Sequence, residues 1–166
     1  MNFLNKIEEN FEKFSKRNAF CIKERFFTYG ELNEVCLRIV DLLKKNISGI
    51  QNNVGIITYD DLETYASVLA LWFTENIFVP INPRNPWARN ADIIKQAGIN
   101  TILTSNDDGS EILKSENLKV LKTINLKPKS GYLIEKDIDP ENILYLLFTS
   151  GSTGKPKGVP ISYRIF

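Results

Sequence analysis

A run of glycines, hydroxyl residues and lysines near the end of the sequence has the composition of an anion-binding loop. The run covers residues 149–158 and reads TSGSTGKPKG. Glycines allow successive backbone N–H groups to turn inward and form the concavity found in phosphate loops. The hydroxyls add hydrogen-bond donors, and Lys155 and Lys157 add positive charge. This combination predicts a site that holds a polyphosphate.

The spacing within the run excludes two common nucleotide loops. A Walker loop needs a glycine, four residues, then Gly-Lys-Ser/Thr, followed by a helix. Here only two residues separate Gly151 from Gly154, and Lys155 is followed by Pro156. The dinucleotide fingerprint G-x-G-x-x-G is also absent. A surface turn without any ligand remains the alternative explanation for a Gly-Ser-Thr-Gly sequence taken alone.

The segments around the run predict how it is presented. The apolar residues 143–148 have the length and residue types of a buried β-strand, and residues 159–162 predict a short strand after the loop. Upstream, strand-like and helix-like segments alternate, which is typical of an α/β domain with a mostly parallel sheet flanked by helices. Phosphate sites in such sheets lie beyond the carboxyl ends of the strands, which is where Thr149 stands.

Several boundaries of the upstream elements can be predicted from capping and turn residues. Thr28 with Glu31 predicts a capping box, Asp60 with Glu63 predicts a second helix start, and Gly98 predicts a helix end. Asn85 is expected to cap the helix that begins at Pro86. The remaining elements predicted are an amphipathic helix through Leu4, Ile7, Phe11 and Phe14, a strand pair Ala19–Lys23 and Phe26–Thr28 turned at Glu24 and Arg25, strands at Val54–Ile57, Ile77–Ile81, Thr101–Thr104 and Leu118–Leu121, and a helical turn at Glu111–Lys114.

Composition excludes several classes of function. The chain has 166 residues, of which 43% are hydrophobic and 25% charged, enough for a folded core. A net charge of +1 gives no reason to expect nucleic-acid binding. Two cysteines without any histidine do not form the usual zinc frameworks, so no metal site is expected. The N-terminus lacks the apolar core of a signal peptide, and no run is long enough to span a membrane, so a cytoplasmic location is expected.

The run at 149–158 resembles the phosphate-binding signature of the adenylate-forming superfamily, which includes acyl-CoA synthetases, nonribosomal peptide synthetase adenylation domains and luciferases. All ten positions match, which favours a phosphate loop over a surface turn. Two other segments support the resemblance. Phe27–Leu32 resembles the family's first core motif, and Phe78–Arg89 resembles the second core motif of amino-acid-activating domains, with Asn82 where Asp is usual.

The resemblance implies an ATP-dependent, AMP-forming ligase. Such an enzyme joins a carboxylate to the α-phosphate of ATP, releases pyrophosphate, and passes the acyl group to a thiol of CoA or a carrier protein. ATP with Mg²⁺ is the implied cofactor, and an amino acid is favoured over an aryl or fatty acid. Lys155 is equally consistent with a solvent-facing role. The residues implied to hold the β- and γ-phosphates are Thr149, Ser150, Gly151, Ser152, Thr153, Gly154 and Lys157.

The family's later motifs have no counterpart in this sequence. They supply the adenine pocket, the magnesium-binding Glu, the hinge and the Lys that contacts the carboxylate, so no catalytic residue is expected within the chain. We therefore expect residues 1–166 to be the incomplete N-terminal part of an adenylation domain, inactive alone and prone to form homo-oligomers through an unpaired sheet edge and uncovered apolar surface. The alternative is an inactive remnant that binds a nucleotide or a protein. Tyr163 stands where the family often has a His that walls the acyl pocket.

Overall fold

The structure, a computed structural model, describes residues 3–107, 117–129, 131, 138–150 and 156–165. Within these residues the chain forms four α-helices, eight strands and one short 3₁₀ turn. The helices are α1 Phe3–Lys13, α2 Tyr29–Asn46, α3 Leu62–Phe73 and α4 Trp87–Ala97. The strands are β1 Asn18–Ile22, β2 Arg25–Thr28, β3 Asn53–Ile57, β4 Ile77–Ile81, β5 Thr101–Thr104, β6 Lys119–Lys122, β7 Ile143–Ser150 and β8 Pro156–Ser162, and the 3₁₀ turn is Tyr163–Ile165.

Six of these strands form one sheet in the order β6-β5-β3-β4-β7-β8. Every neighbouring pair is parallel except β7 and β8, which are antiparallel. Strands β1 and β2 form a separate antiparallel pair. The predicted α/β class with a mostly parallel sheet is therefore confirmed.

The sheet is packed on both faces, which explains why β3 is apolar along most of its length. Side chains alternate across a strand, so Val54 and Ile56 belong to the hydrophobic cluster that includes α1, α2 and α3. Ile57 belongs instead to a second cluster, which contains Ile93 and Ala97 of α4. Because α3 and α4 belong to different clusters, the helix after β4 packs on the opposite face of the sheet from the helix after β3. Strand order also reverses between β3 and β4, and ligands of open α/β sheets bind in the crevice at such a point.

Two predicted caps are confirmed. The Thr28 side chain accepts from the Glu31 backbone N–H at 3.2 Å, and the Glu31 carboxylate accepts from the Thr28 N–H at 2.7 Å. These bonds hold the pKa of Glu31 below its usual value, chiefly through the Thr28 backbone N–H. Gly98 ends α4 with φ 61°, a left-handed conformation that glycine adopts without strain.

Two other predicted caps are wrong by one residue. Asp61 caps α3, accepting from the Thr64 N–H at 2.8 Å, whereas Asp60 accepts from the Tyr65 hydroxyl at 3.1 Å. At α4 the capping position is Pro86, and no side chain bonds to the first turn. Asn85 instead donates its side-chain amide to the Asn90 side chain. In both cases the helix starts one residue later than the sequence pattern indicates.

The predicted turn between the first two strands is also shifted by one residue. Arg25 pairs with Ile22, so Lys23 and Glu24 make the turn, with φ values of 48° and 65°. The strand predicted at Leu118–Leu121 is present as β6. The helical turn predicted at Glu111–Lys114 lies outside the described residues.

Candidate phosphate-binding hairpin

The predicted phosphate run lies at the turn of the β7–β8 hairpin. Thr149 is paired with Lys157, and Ser150 with Pro156. The sequence pattern ended the first strand before Thr149 and began the second at Val159, whereas antiparallel pairing extends both strands towards the turn. Thr149, Ser150 and Lys157 therefore lie in strands rather than in a loop. The other predicted phosphate contacts, Gly151, Ser152, Thr153 and Gly154, lie outside the described residues, as does Lys155.

Thr149 and Lys157 are both exposed and stand directly opposite each other. Side chains of directly opposed residues lie on the same face of a sheet, with Cβ atoms about 4.5–5.5 Å apart. Lys157 makes no ion pair with any carboxylate of the described residues. An ammonium group and a hydroxyl are thus available together beside the hairpin turn.

The end of β7 and the start of β8 lie at the carboxyl edge of the parallel strands. Strand β7 runs parallel to β4, with Tyr145 beside Phe78. Both strands therefore point towards the same edge, where β4 ends at Ile81 and β7 ends at Ser150. This position agrees with the expected location of phosphate sites in open α/β sheets.

The same edge contains a cavity that sequence reasoning did not predict. It has a volume of about 690 Å³ and is lined by residues that follow β3 and β4, including Thr58, Tyr59, Asn82 and Arg84. Asn82 belongs to the Phe78–Arg89 segment that resembles the second core motif. The cavity lies where the strand order reverses, and that order is visible only in the folded structure.

The start of β7 is anchored by side chains from elsewhere in the fold. The Gln51 side chain accepts from the Ile143 N–H at 2.8 Å. The Trp72 indole N–H donates to the Leu144 carbonyl at 3.1 Å. The register with β8 is irregular between Ile143 and Tyr145, so the Trp72 bond satisfies a carbonyl where the strand ladder is interrupted.

The expectation that residues 143–148 form a fully buried strand is only partly correct. Leu144 is 3% exposed, but Leu147 is 40% exposed, and its partner Val159 is 44% exposed. Leu146 and Phe148 point the other way and pack against the cluster that contains α4. One face of the hairpin is therefore supported by a helix, while the face with Leu147 and Val159 remains open among the described residues.

Gly158 has a packing role that sequence reasoning missed. A Cβ atom at this position would lie 3.1 Å from Phe148 Cζ and 3.2 Å from Leu146 Cδ1. Its φ lies outside the left-handed range, so the backbone conformation does not require glycine here. The glycine instead gives the Phe148 ring room to lie across β8.

Two further properties concern metals and membranes. Within the described ranges, no group of three or more His, Cys, Asp or Glu side chains is placed to hold a metal ion. In the same part of the chain, no helix has the length and apolar character needed to cross a membrane.

Comparison with known sequences gives a family match over almost the whole chain. A family model described as AMP-binding enzyme matches residues 7–166. Tyrocidine synthase 3 of Brevibacillus parabrevis is 30% identical over 159 residues, which cover 96% of this chain and 2% of that protein. Zwittermicin A synthase ZmaJ of Bacillus cereus is 32% identical over 148 residues, which cover 87% of this chain and 28% of that protein.

Comparison with solved structures agrees with the family match. The N-terminal subdomain of Klebsiella oxytoca NpsA superposes with a TM-score of 0.80 and 25% identity, covering 98% of this chain and 42% of that one. The nonribosomal peptide synthetase FmoA3 shares the fold, with a TM-score of 0.85 at 22% identity over 99% of this chain and 18% of that one. This chain thus spans less than half the length of each of these relatives and structures. The chain belongs to the AMP-binding enzyme family and has the fold of the N-terminal subdomain of an adenylation domain.

Proposed function

We propose that residues 1–166 supply the triphosphate-binding part of an ATP-dependent, AMP-forming ligase. The observation that carries this proposal is the exposed Thr149–Lys157 pair beside the turn of the β7–β8 hairpin. The whole enzyme would join a carboxylate to the α-phosphate of ATP, release pyrophosphate, and pass the acyl group to a thiol.

The described residues fit a polyanion at this position. Lys157 is exposed and has no carboxylate partner among the described residues, so its charge is available to a phosphate oxygen. The Thr149 hydroxyl can donate a second hydrogen bond from the same face. We propose that these two residues act together with Ser150, Gly151, Ser152, Thr153 and Gly154 to bind the β- and γ-phosphates. Their role is to bind and orient ATP, because none of these side chains is a general base or a nucleophile for the reaction.

Mg²⁺ accompanies ATP in the proposed reaction, but the described residues do not form a site for it. Mg²⁺ prefers carboxylate and phosphate oxygens as ligands. No carboxylate lies within β7 or β8. We therefore assign no residue of this chain to the metal.

An amino acid is the favoured carboxylate, and a carrier protein or CoA would be the thiol acceptor. The Phe78–Arg89 segment supports the amino acid because it resembles the second core motif of amino-acid-activating domains. The names of the similar tyrocidine, bacitracin and surfactin synthases are consistent with this choice. An aryl acid is the alternative, because NpsA has been solved with 3-hydroxybenzoyl-AMSN.

Replacing Lys157 with Ala tests the proposal. Each charge-assisted contact contributes about 1.5–3 kcal/mol, so affinity for ATP or pyrophosphate should fall roughly ten- to hundredfold. The melting temperature should hardly change, because Lys157 is exposed and buries little apolar area. Calorimetric titration measures the affinity, and thermal unfolding measures the stability.

Lys44→Ala is the matched control, since Lys44 is also exposed but lies in the last turn of α2. It should alter neither the affinity nor the melting temperature. A large fall in melting temperature for Lys157→Ala with unchanged affinity would show that the hairpin lysine is structural, and the proposal would fail.

A second candidate is a binding module without adenylation activity. The open face at Leu147 and Val159 favours it, because exposed apolar pairs of this kind are suited to contact with a protein. Pyrophosphate–ATP exchange with a panel of amino acids and aryl acids separates the two functions. We expect no exchange by the 166-residue chain alone, because the family motifs for adenine and carboxylate contact have no counterpart in it. Exchange above background with any acid would contradict this expectation.

A further inference from the structure

Tyr163 connects the end of the hairpin to the beginning of the chain. It directly follows β8 and is only 8% exposed. Its hydroxyl oxygen accepts a hydrogen bond from the Phe3 backbone N–H at 3.1 Å, across 160 positions of sequence. The two rings are stacked, with centroids 5.0 Å apart. The contact therefore combines one directional bond with the stacking of the buried Tyr163 ring on the half-buried Phe3 ring.

The hydroxyl oxygen accepts a hydrogen bond from the first turn of a helix. The first N–H groups of a helix have no partner within the helix. The first turn of α1 contains no acidic side chain, and the Tyr163 oxygen accepts from the Phe3 N–H. Burial raises the pKa of Tyr163, and the nearby backbone N–H groups of Phe3 and Leu4 act in the opposite direction. The hydroxyl group therefore remains protonated at neutral pH and caps α1 through its oxygen.

The Phe3 ring also connects Tyr163 to β7 through a second aromatic residue. The Phe3 ring meets the Trp72 ring edge-on, with centroids 5.5 Å apart. Trp72 in turn donates to the Leu144 carbonyl in β7. A continuous set of contacts thus runs from Tyr163 after β8, through α1 and α3, to Leu144 near the start of β7.

At this end of the hairpin the strand ladder is irregular between Ile143 and Tyr145, and backbone bonding resumes beyond it, where the Tyr163 N–H donates to the Asn142 carbonyl at 2.8 Å. The side-chain contacts of Tyr163 add to these backbone bonds in holding the alignment. Alignment matters because a slip of one residue turns every side chain to the opposite face. Such a slip would remove Lys157 from its position opposite Thr149.

We propose that Tyr163 is a positioning residue of the phosphate hairpin, holding the end of β8 against α1 so that β7 and β8 keep the alignment that presents Thr149 and Lys157 together. The phosphate part of this inference rests on the proposed function. The support of the hairpin by α1 rests only on the contacts of Tyr163, Phe3, Trp72 and Leu144.

Tyr163→Phe isolates the hydroxyl, because the buried ring and its stacking on Phe3 are retained. Tyr145→Phe is a matched control in the same hairpin. Tyr145 is partly buried, and its hydroxyl has no hydrogen-bond partner within the part of the chain that the structure describes. Phe3→Leu is a second variant that weakens the same contact from the α1 side.

Two measurements on the 166-residue chain test the inference. Amide hydrogen exchange followed by NMR should be about fivefold faster in α1 and β8 of Tyr163→Phe, the effect of losing one hydrogen bond. Exchange in β3 and β5 should change much less. Titration with inorganic pyrophosphate should show about three- to tenfold weaker binding. Phe3→Leu should act in the same direction, and Tyr145→Phe should change neither measurement.

Several outcomes would overturn the inference. Unchanged exchange in β8 of Tyr163→Phe would show that the hydroxyl does not position the hairpin. Uniformly faster exchange across the chain, or an equal effect of Tyr145→Phe, would show a general loss of stability instead. If the unmodified chain does not bind pyrophosphate, the proposed function fails, while the exchange measurement still decides whether α1 supports the hairpin.

Discussion

Gly158→Ala should destabilise the protein by crowding the Phe148 ring. The added Cβ would lie 3.1 Å and 3.3 Å from two atoms of this ring and 3.2 Å from the Leu146 side chain. Such contacts are closer than ordinary van der Waals separations, so both neighbours must move by a few tenths of an ångström. Phe148 packs against the cluster that contains α4, which restricts its retreat on that side.

The size of the effect follows from two opposing contributions. Inserting a methyl group into a packed core costs about 1–3 kcal/mol, and the cost here belongs to the lower part of that range, because Gly158 is exposed and Phe148 is half-buried. Replacing glycine with alanine restricts the unfolded chain and returns about 0.4–1 kcal/mol. The net expected loss is about 1 kcal/mol. For a chain of this length, that loss lowers the melting temperature by about 2–4 °C.

Denaturant unfolding of a double-mutant cycle with Phe148→Leu measures the effect. With the ring removed, Gly158→Ala should cost clearly less, because only the contact with Leu146 at 3.2 Å remains. Gly49→Ala is a contrasting control, because Gly49 has φ 74° and open space around it. Its cost comes from backbone strain, so Phe148→Leu should not relieve it. An equal cost of Gly158→Ala with and without the Phe148 ring would show that crowding of this ring does not destabilise the protein.

Two further predictions concern association and pH. The 166-residue chain should form dimers or larger species at micromolar concentration through its open apolar face, and Leu147→Ser with Val159→Ser should return it to a monomer in sedimentation. Association through the free edge of β8 is less favourable, because Pro156 and Pro160 have no N–H to donate. Stability should fall on acidification below about pH 4.5, because the pKa of Glu31 is lowered by folding and its contribution is lost as pH drops through the folded value. Glu31→Gln should flatten this part of the pH profile of unfolding, and an unchanged profile would contradict the assignment.

Features that depend on neighbouring residues could be predicted from the sequence. The Thr28–Glu31 capping box and the Gly98 helix end each involve residues within one turn of a helix, and both are confirmed. The cap of α3 could not be assigned in this way, because Asp60 and Asp61 are adjacent acids with similar local sequence. Asp61 also accepts from the Ser105 hydroxyl, which lies 44 residues away. That contact depends on the fold and has no signal in the local pattern.

At the candidate site, too, local features could be predicted from the sequence, whereas contacts between distant residues could not. The composition of residues 149–158 predicts a phosphate-binding turn, and the apolar residues before it predict β7. The length of both strands depends on their pairing, so the pattern could not place Thr149 opposite Lys157. The roles of Gly158 and Tyr163 depend on the Phe148 ring and on α1, respectively. Neither contact is visible until the chain is folded.

Successive residues of β8 face opposite sides of the sheet. The lysine proposed to bind phosphate and the glycine that packs against Phe148 therefore lie on different faces. Lys157 and Val159 share the open face, whereas Gly158 lies under the Phe148 ring on the face packed towards α4. Substitutions at Lys157 and Gly158 should therefore affect different measured properties, although the two residues are adjacent. Lys157→Ala should weaken ATP binding at an unchanged melting temperature, and Gly158→Ala should lower the melting temperature chiefly through packing. If both substitutions altered stability and binding in the same proportion, the two faces of the hairpin would not have the separate roles that its geometry indicates.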